Sequence, residues 1–174
     1  MLNASYADVA YTSFEDDLKG NWTYSGTPVS DATSPTGKNV YPLSGSSVSI
    51  GALDPAKTYV VSYWSKGSPA QVNGTAGVAG RSFNGWTVYE HKIVMPSNGA
   101  ITITGAANID ELRLFPAGAQ MTTFTYSPLV GMTSQCDMNH RITYYNYDGI
   151  GRLSNIRDQD GNIIKTFEYH YQGQ

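Results

Sequence analysis

The chain reads as short runs of alternating apolar and polar residues, cut by clusters of glycine, proline, serine and aspartate. A period of two marks half-buried strands, and no stretch sustains the 3.6-residue period of an amphipathic helix. Strands are expected at residues 9–14, 22–25, 39–43, 47–50, 58–66, 71–78, 81–82, 86–95, 100–104 and 108–115. In the longest, TYVVSYWSK, Tyr59, Val61 and Tyr63 share one face while Val60, Ser62, Trp64 and Lys66 share the other. One face should meet a core and the other should be at least partly wet. Residues 31–38 (DATSPTGK) and 54–57 (DPAK) are turns. Strands at this spacing predict a two-sheet sandwich or jelly roll, ended by the Pro116-Ala-Gly-Ala119 boundary.

After that boundary the pattern becomes repetitive. Residues 126–142 and 147–163 align without a gap, pairing Tyr126 with Tyr147, Met132 with Leu153, Asp137 with Asp158 and Ile142 with Ile163. A third copy begins one residue late at Phe167-Glu168-Tyr169 and stops. A fixed period with matched turns marks stacked repeats. Strands are expected at 142–147, 152–157 and 163–171, with turns at 148–151 and 158–162. The predicted organisation is all-β: a disordered N-terminus (1–8), a jelly-roll β-sandwich (9–116) and a short β-hairpin array (117–174). The last strand would be an unprotected edge in isolation, so it should pair with the sandwich, another copy or a parent scaffold.

Composition narrows the function. Charged residues make up 14% and the net charge is −3, with no basic patch, which excludes nucleic acid as a partner. No apolar run reaches transmembrane length, so membrane insertion is not expected. Cys136 stands alone, so there is no intramolecular disulfide. The opening MLNASYADVAYTS has neither the charged start nor the apolar core of a signal peptide, and the chain is read as a fragment of a longer exported protein. His91, His140 and His170 are scattered, and Cys136 sits in a repeat turn as a structural thiol. No enzyme is expected.

Two resemblances add to this reading. Through Tyr147-Asp148-Gly149, Gly151-Arg152-Leu153 and Asp160-Gly161-Asn162, the tail resembles the YD (tyrosine-aspartate) or Rhs repeat family, although the first copy has Ser127-Pro128 in place of Asp-Gly. The resemblance implies other YD-repeat segments of a parent β-scaffold as partners. Residues 9–115 resemble carbohydrate-binding modules of the galactose-binding-like jelly-roll type. They do so through Ser13-Phe14-Glu15-Asp16, Thr36-Gly37-Lys38, the 57–64 strand, Gly85-Trp86 and Ile109-Asp110-Glu111-Leu112. That resemblance implies a structural calcium held by Glu15, Asp110 and the carbonyls of Gly37 and Lys38. The residues alone also fit a solvated acidic turn at Glu15-Asp16-Asp17 with Asp110 as an edge charge.

Trp64, Trp86, Tyr89 and Tyr24 are candidates for a sugar platform, with Lys66, Glu90 and Asn73 as hydroxyl partners. Trp64 is the first choice, because it shares a strand face with Ser62 and Lys66, while Trp22 and Trp86 also fit packing at sandwich edges. Two functions follow. One is a non-catalytic cell-surface or secreted module that binds a glycan or surface protein. The other is a structural cap on an Rhs-type scaffold.

Overall fold

A computed structural model describes residues 8–15 and 19–170. All sixteen elements assigned among them are strands, and no helix there is long and apolar enough to cross a membrane. The chain divides into two compact units between Gln120 and Met121.

In the first unit, chain order gives β1 (Ala10–Thr12), β2 (Val29–Ser30), β3 (Asn39–Pro42), β4 (Ser47–Ile50), β5 (Thr58–Lys66) and β6 (Gln71–Val72). It continues with β7 (Thr75–Ala76), β8 (Val78–Phe83), β9 (Trp86–Val94), β10 (Ile101–Thr104) and β11 (Asn108–Pro116). One sheet runs β2-β3-β11-β5-β9-β8, with β1 also on β11, and the second runs β4-β10-β6-β7. Between them lies one core, to which Tyr41, Leu43, Tyr59, Val61, Tyr63, Ile109, Leu112 and Leu114 point from the large sheet. Val48, Ile50, Val72, Ile101 and Ile103 answer from the small one. Each such burial contributes about 1.5–3 kcal/mol, which makes this alternation the dominant organiser of the unit.

Strand β11 breaks the alternation. Ile109 and Leu112 both enter the core although three residues apart, because the register slips between Asp110 and Arg113. Glu111 absorbs the extra residue with a backbone φ of 55°, a left-handed conformation that a side chain adopts at a cost of about 1–3 kcal/mol. The bulge lies where β11 changes neighbour, from β3 at Asn108–Ile109 to β1 at Leu112–Leu114.

Several expectations change here. Residues 22–25 make only a single bridge, Thr23 with Ser49, while Trp22 and Tyr24 turn into the core. The 71–78 strand is split by a turn at Asn73-Gly74, whose φ values are 49° and 77°. Of the N-terminus expected to be disordered, residues 1–7 lie outside the described residues, whereas the Asp8 carboxylate accepts hydrogen bonds from Lys57 Nζ and from Tyr59 Oη at 2.6 Å. The outward face of β5 is also drier than alternation implies, since Ser62 and Trp64 are fully buried. The 31–38 loop folds back onto the Lys66 and Trp86 end of that face, and Phe83 lies edge-on to Trp64. Thr33 Oγ1 accepts from Trp86 Nε1 at 3.1 Å, and Lys66 Nζ donates to Thr33 Oγ1 and Asp31 Oδ2.

The second unit is an antiparallel meander of β12 (Thr123–Ser127), β13 (Gly131–Cys136), β14 (Ile142–Tyr147), β15 (Leu153–Asp158) and β16 (Ile163–Thr166). Its registers repeat. Tyr126 opposes Met132 as Tyr147 opposes Leu153, and Cys136 opposes Ile142 as Arg157 opposes Ile163. Three of its turns are built alike on Asp137, Asp148 and Asp158. Each aspartate Oδ1 accepts from the backbone N–H groups two and four residues on. The fourth residue of each turn has positive φ, which glycine supplies at 151 and 161 and His140 supplies in the other turn. Strand β16 stops at Thr166, short of the expected 171, and Tyr171 lies outside the described residues.

Candidate functional site

The four expected calcium ligands gather at the bulge of β11. Glu15 Oε1 accepts from the N–H groups of Lys38 and Asn39 at 2.7 and 2.6 Å. Asp110 Oδ2 accepts from Thr36 N and Oγ1 at 3.0 and 3.2 Å, and its Oδ1 accepts from Glu111 N. One loop therefore holds both acids. Gly37 lets it approach, because a Cβ there would lie 2.2 Å from Glu15 Cδ. The carbonyls of Gly37 and Lys38 accept from Ser34 Oγ and Asp31 N, leaving each a second lone pair.

Residues not singled out from the sequence complete this cluster. Glu111 Oε2 accepts from Tyr11 Oη at 2.8 Å and Thr36 Oγ1 at 3.1 Å, and its Oε1 pairs with buried Arg113 at 2.9 Å. Buried Asp110 thus stands next to a buried Glu111–Arg113 ion pair. Burial, and next the Glu111 charge, hold Asp110 well above the usual carboxylate range, against the pull of its three hydrogen-bond donors. The all-oxygen donor set is of the kind calcium takes. Among the described residues no three His, Cys, Asp or Glu side chains stand close enough to hold a metal ion together. Asp16 and Asp17 lie outside the described residues. The sequence did carry a signal for this cluster: the I-x-x-L-x-L phase slip in 109–114 announces the bulge.

Most of the candidate platform residues are buried or already partnered. Trp64 and Trp86 are fully buried, so no sugar ring can reach either face as the chain is folded. Trp64 lies edge-on to Phe83 at 5.9 Å, and Trp86 anchors the 31–38 loop. Lys66 is committed to the same loop, where its ammonium lowers Asp31 to about 2. Tyr24 is a core residue. Glu90 neighbours Tyr89 on one strand and so points to the opposite face. Asn73 spends its amide on the Ala100 carbonyl and the Thr102 N–H.

Tyr89 alone of the aromatic platform candidates is not buried, although it packs against the core. It is partly exposed and stacks on Tyr63 at 5.9 Å with an interplanar angle of 25°. Tyr63 Oη donates to the Ala70 carbonyl at 2.8 Å, so its oxygen must accept from His91 Nε2–H at 3.1 Å. That fixes the tautomer and leaves Nδ1 as the acceptor of a neutral imidazole. Burial lowers the His91 pKa to about 4. The chain crosses over this ring at Gly77, where a Cβ would come within 2.5 Å of Nε2. The sequence offered His91 only as one of three scattered histidines, because Tyr63 and His91 lie 28 residues apart.

No protein-family model and no curated protein sequence matches the chain. Among solved structures it is similar to the N-terminal CBM22-1-CBM22-2 tandem domain from Paenibacillus barcinonensis Xyn10C, with 12% identity and a TM-score of 0.40. The match covers 78% of this chain and 63% of that one, so the chain spans less than two thirds of the tandem domain.

Proposed function

We propose that the chain is a non-catalytic module of a secreted or cell-surface protein, whose sandwich binds a glycan and whose repeat sheet joins it to a longer β-scaffold of the YD/Rhs kind. The observation that carries the binding half is Tyr89, a partly exposed residue whose ring stacks on Tyr63. A ring stacked from behind surrenders little side-chain freedom when the C–H face of a pyranose packs on it. A structural calcium belongs to the same reading. Glu15, Asp110 and the carbonyls of Gly37 and Lys38 would hold it, and the divalent charge would offset the buried Asp110 carboxyl, which neighbours the Glu111–Arg113 pair.

A glycan array followed by calorimetry tests the assignment. Tyr89→Ala should weaken the strongest glycan about 10-fold or more, equivalent to about 1.4 kcal/mol, with tryptophan fluorescence unchanged. Silence of the wild type across the array, or equal affinity in the variant, would leave the structural reading in its place. That second reading is favoured by the matched registers of the second unit, in which one pairing pattern recurs from hairpin to hairpin.

A further inference from the structure

Tyr126 and Tyr147 occupy equivalent positions at the ends of β12 and β14, Tyr169 follows β16 one residue out of step, and two of the three act as latches. Tyr147 Oη donates to the Met132 carbonyl on the preceding strand at 2.8 Å. Tyr169 Oη donates to the Leu153 carbonyl, again on the preceding strand, at 2.9 Å. The residue before each acceptor makes room for the ring. Gly131 does so by having no side chain, since a Cβ there would meet Tyr147 Oη at 2.9 Å. Arg152 does so by laying its guanidinium over the Tyr169 ring, 4.4 Å from its centroid. The unit of the array is therefore a strand opening Gly/Arg-Met/Leu, followed by a strand ending in the tyrosine that locks back onto it.

Strand β12 is a second strand without a first. It ends the sheet order, and Tyr126 is 64% exposed, with Phe124 on the same strand 42% exposed. We infer that the free edge of β12 is a docking site for one extended strand of the first-strand type. That strand runs antiparallel to β12, opens with Arg or Gly followed by an apolar residue, and uses that residue's carbonyl to accept Tyr126 Oη. The argument comes from the internal symmetry of the sheet, in which both complete copies specify the same missing partner. It rests on the scaffold half of the proposed function and adds which edge is used, by what strand and through which latch. The main-chain ladder supplies the affinity and the tyrosine pocket the register, as in other cases of strand addition.

The test uses the full chain and a fluorescein-labelled peptide of sequence GRLSNIRD, the 151–158 segment that forms the first strand of the second complete copy. Saturable binding is expected, with amide shifts concentrated at Thr123–Ser127. Tyr126→Phe, a change at an exposed position, should weaken binding about 5-fold, the value of one neutral hydrogen bond. Equal affinity of Tyr126→Phe would overturn the latch. Amide shifts at Ile163–Thr166 instead would overturn the choice of edge while leaving the scaffold reading standing. No binding at either edge would overturn both.

Discussion

Lowering the pH should unlock the first unit through His91. In the folded chain this imidazole is 5% exposed and titrates at about 4, whereas in the unfolded chain it returns to about 6.5. A base whose folded pKa is depressed adds stability above its unfolded value and loses it as pH falls towards the folded one. At about pH 4.5 nearly all unfolded imidazole is charged but only about a quarter of the folded, which removes about 2.5 kcal/mol relative to neutral pH. Against a domain stability of about 5–15 kcal/mol this is a large fraction. Protonation leaves the Nε2–H bond to Tyr63 intact, so the loss is a desolvation cost rather than a broken contact. The assay is urea unfolding followed by tryptophan fluorescence, because Trp22, Trp64 and Trp86 all lie in the first unit. Other carboxylates also titrate in this range, Asp31 among them, with its folded value near 2. The comparison is therefore with His91→Gln, which keeps a donor towards Tyr63 but cannot titrate. The variant should lose about 2–3 kcal/mol less than wild type between pH 7 and about 4.5. Equal losses in the two proteins, or a His91 titration near 6.5 by NMR, would refute the reasoning.

The bulge acid should show the opposite pH dependence. A carboxyl whose folded pKa is raised contributes most below its unfolded value of 3.8 and loses that contribution as pH rises through the folded value. Asp110→Asn should therefore flatten this loss in chelator-treated protein, and calcium at about 100 times its Kd should stabilise wild type by about 2.7 kcal/mol. A melting midpoint indifferent to calcium and chelator at neutral pH dismisses the ion. Gly37→Ala should cost about 2–4 kcal/mol, because its φ is 61° and the new methyl group would overlap the Glu15 carboxyl. Thermal unfolding measures this, and a variant within about 0.5 kcal/mol of wild type would contradict the packing of the loop against Glu15.

Local physics alone set much of this architecture. The bounds of β4, β5 and β14 follow directly from alternation, and the Asp148 and Asp158 turns follow from Asp with glycine three residues on. The 21-residue internal repeat emerges as repeated strand register, since both its turns and its pairings are short-range. What alternation could not decide was which strand faces are wet. It assigned Trp64 to the outward face of β5, and what packs on that face includes a loop whose contacts reach 53 residues from Thr33 to Trp86 and 74 from Thr36 to Asp110. The same long reach moved the candidate sugar platform from Trp64 to Tyr89. It also turned Asp110 from an edge charge into a buried acid with Glu111 beside it. The chain's period of two told which residues share a side; only the tertiary fold, by laying one segment over another, determined which sides meet water.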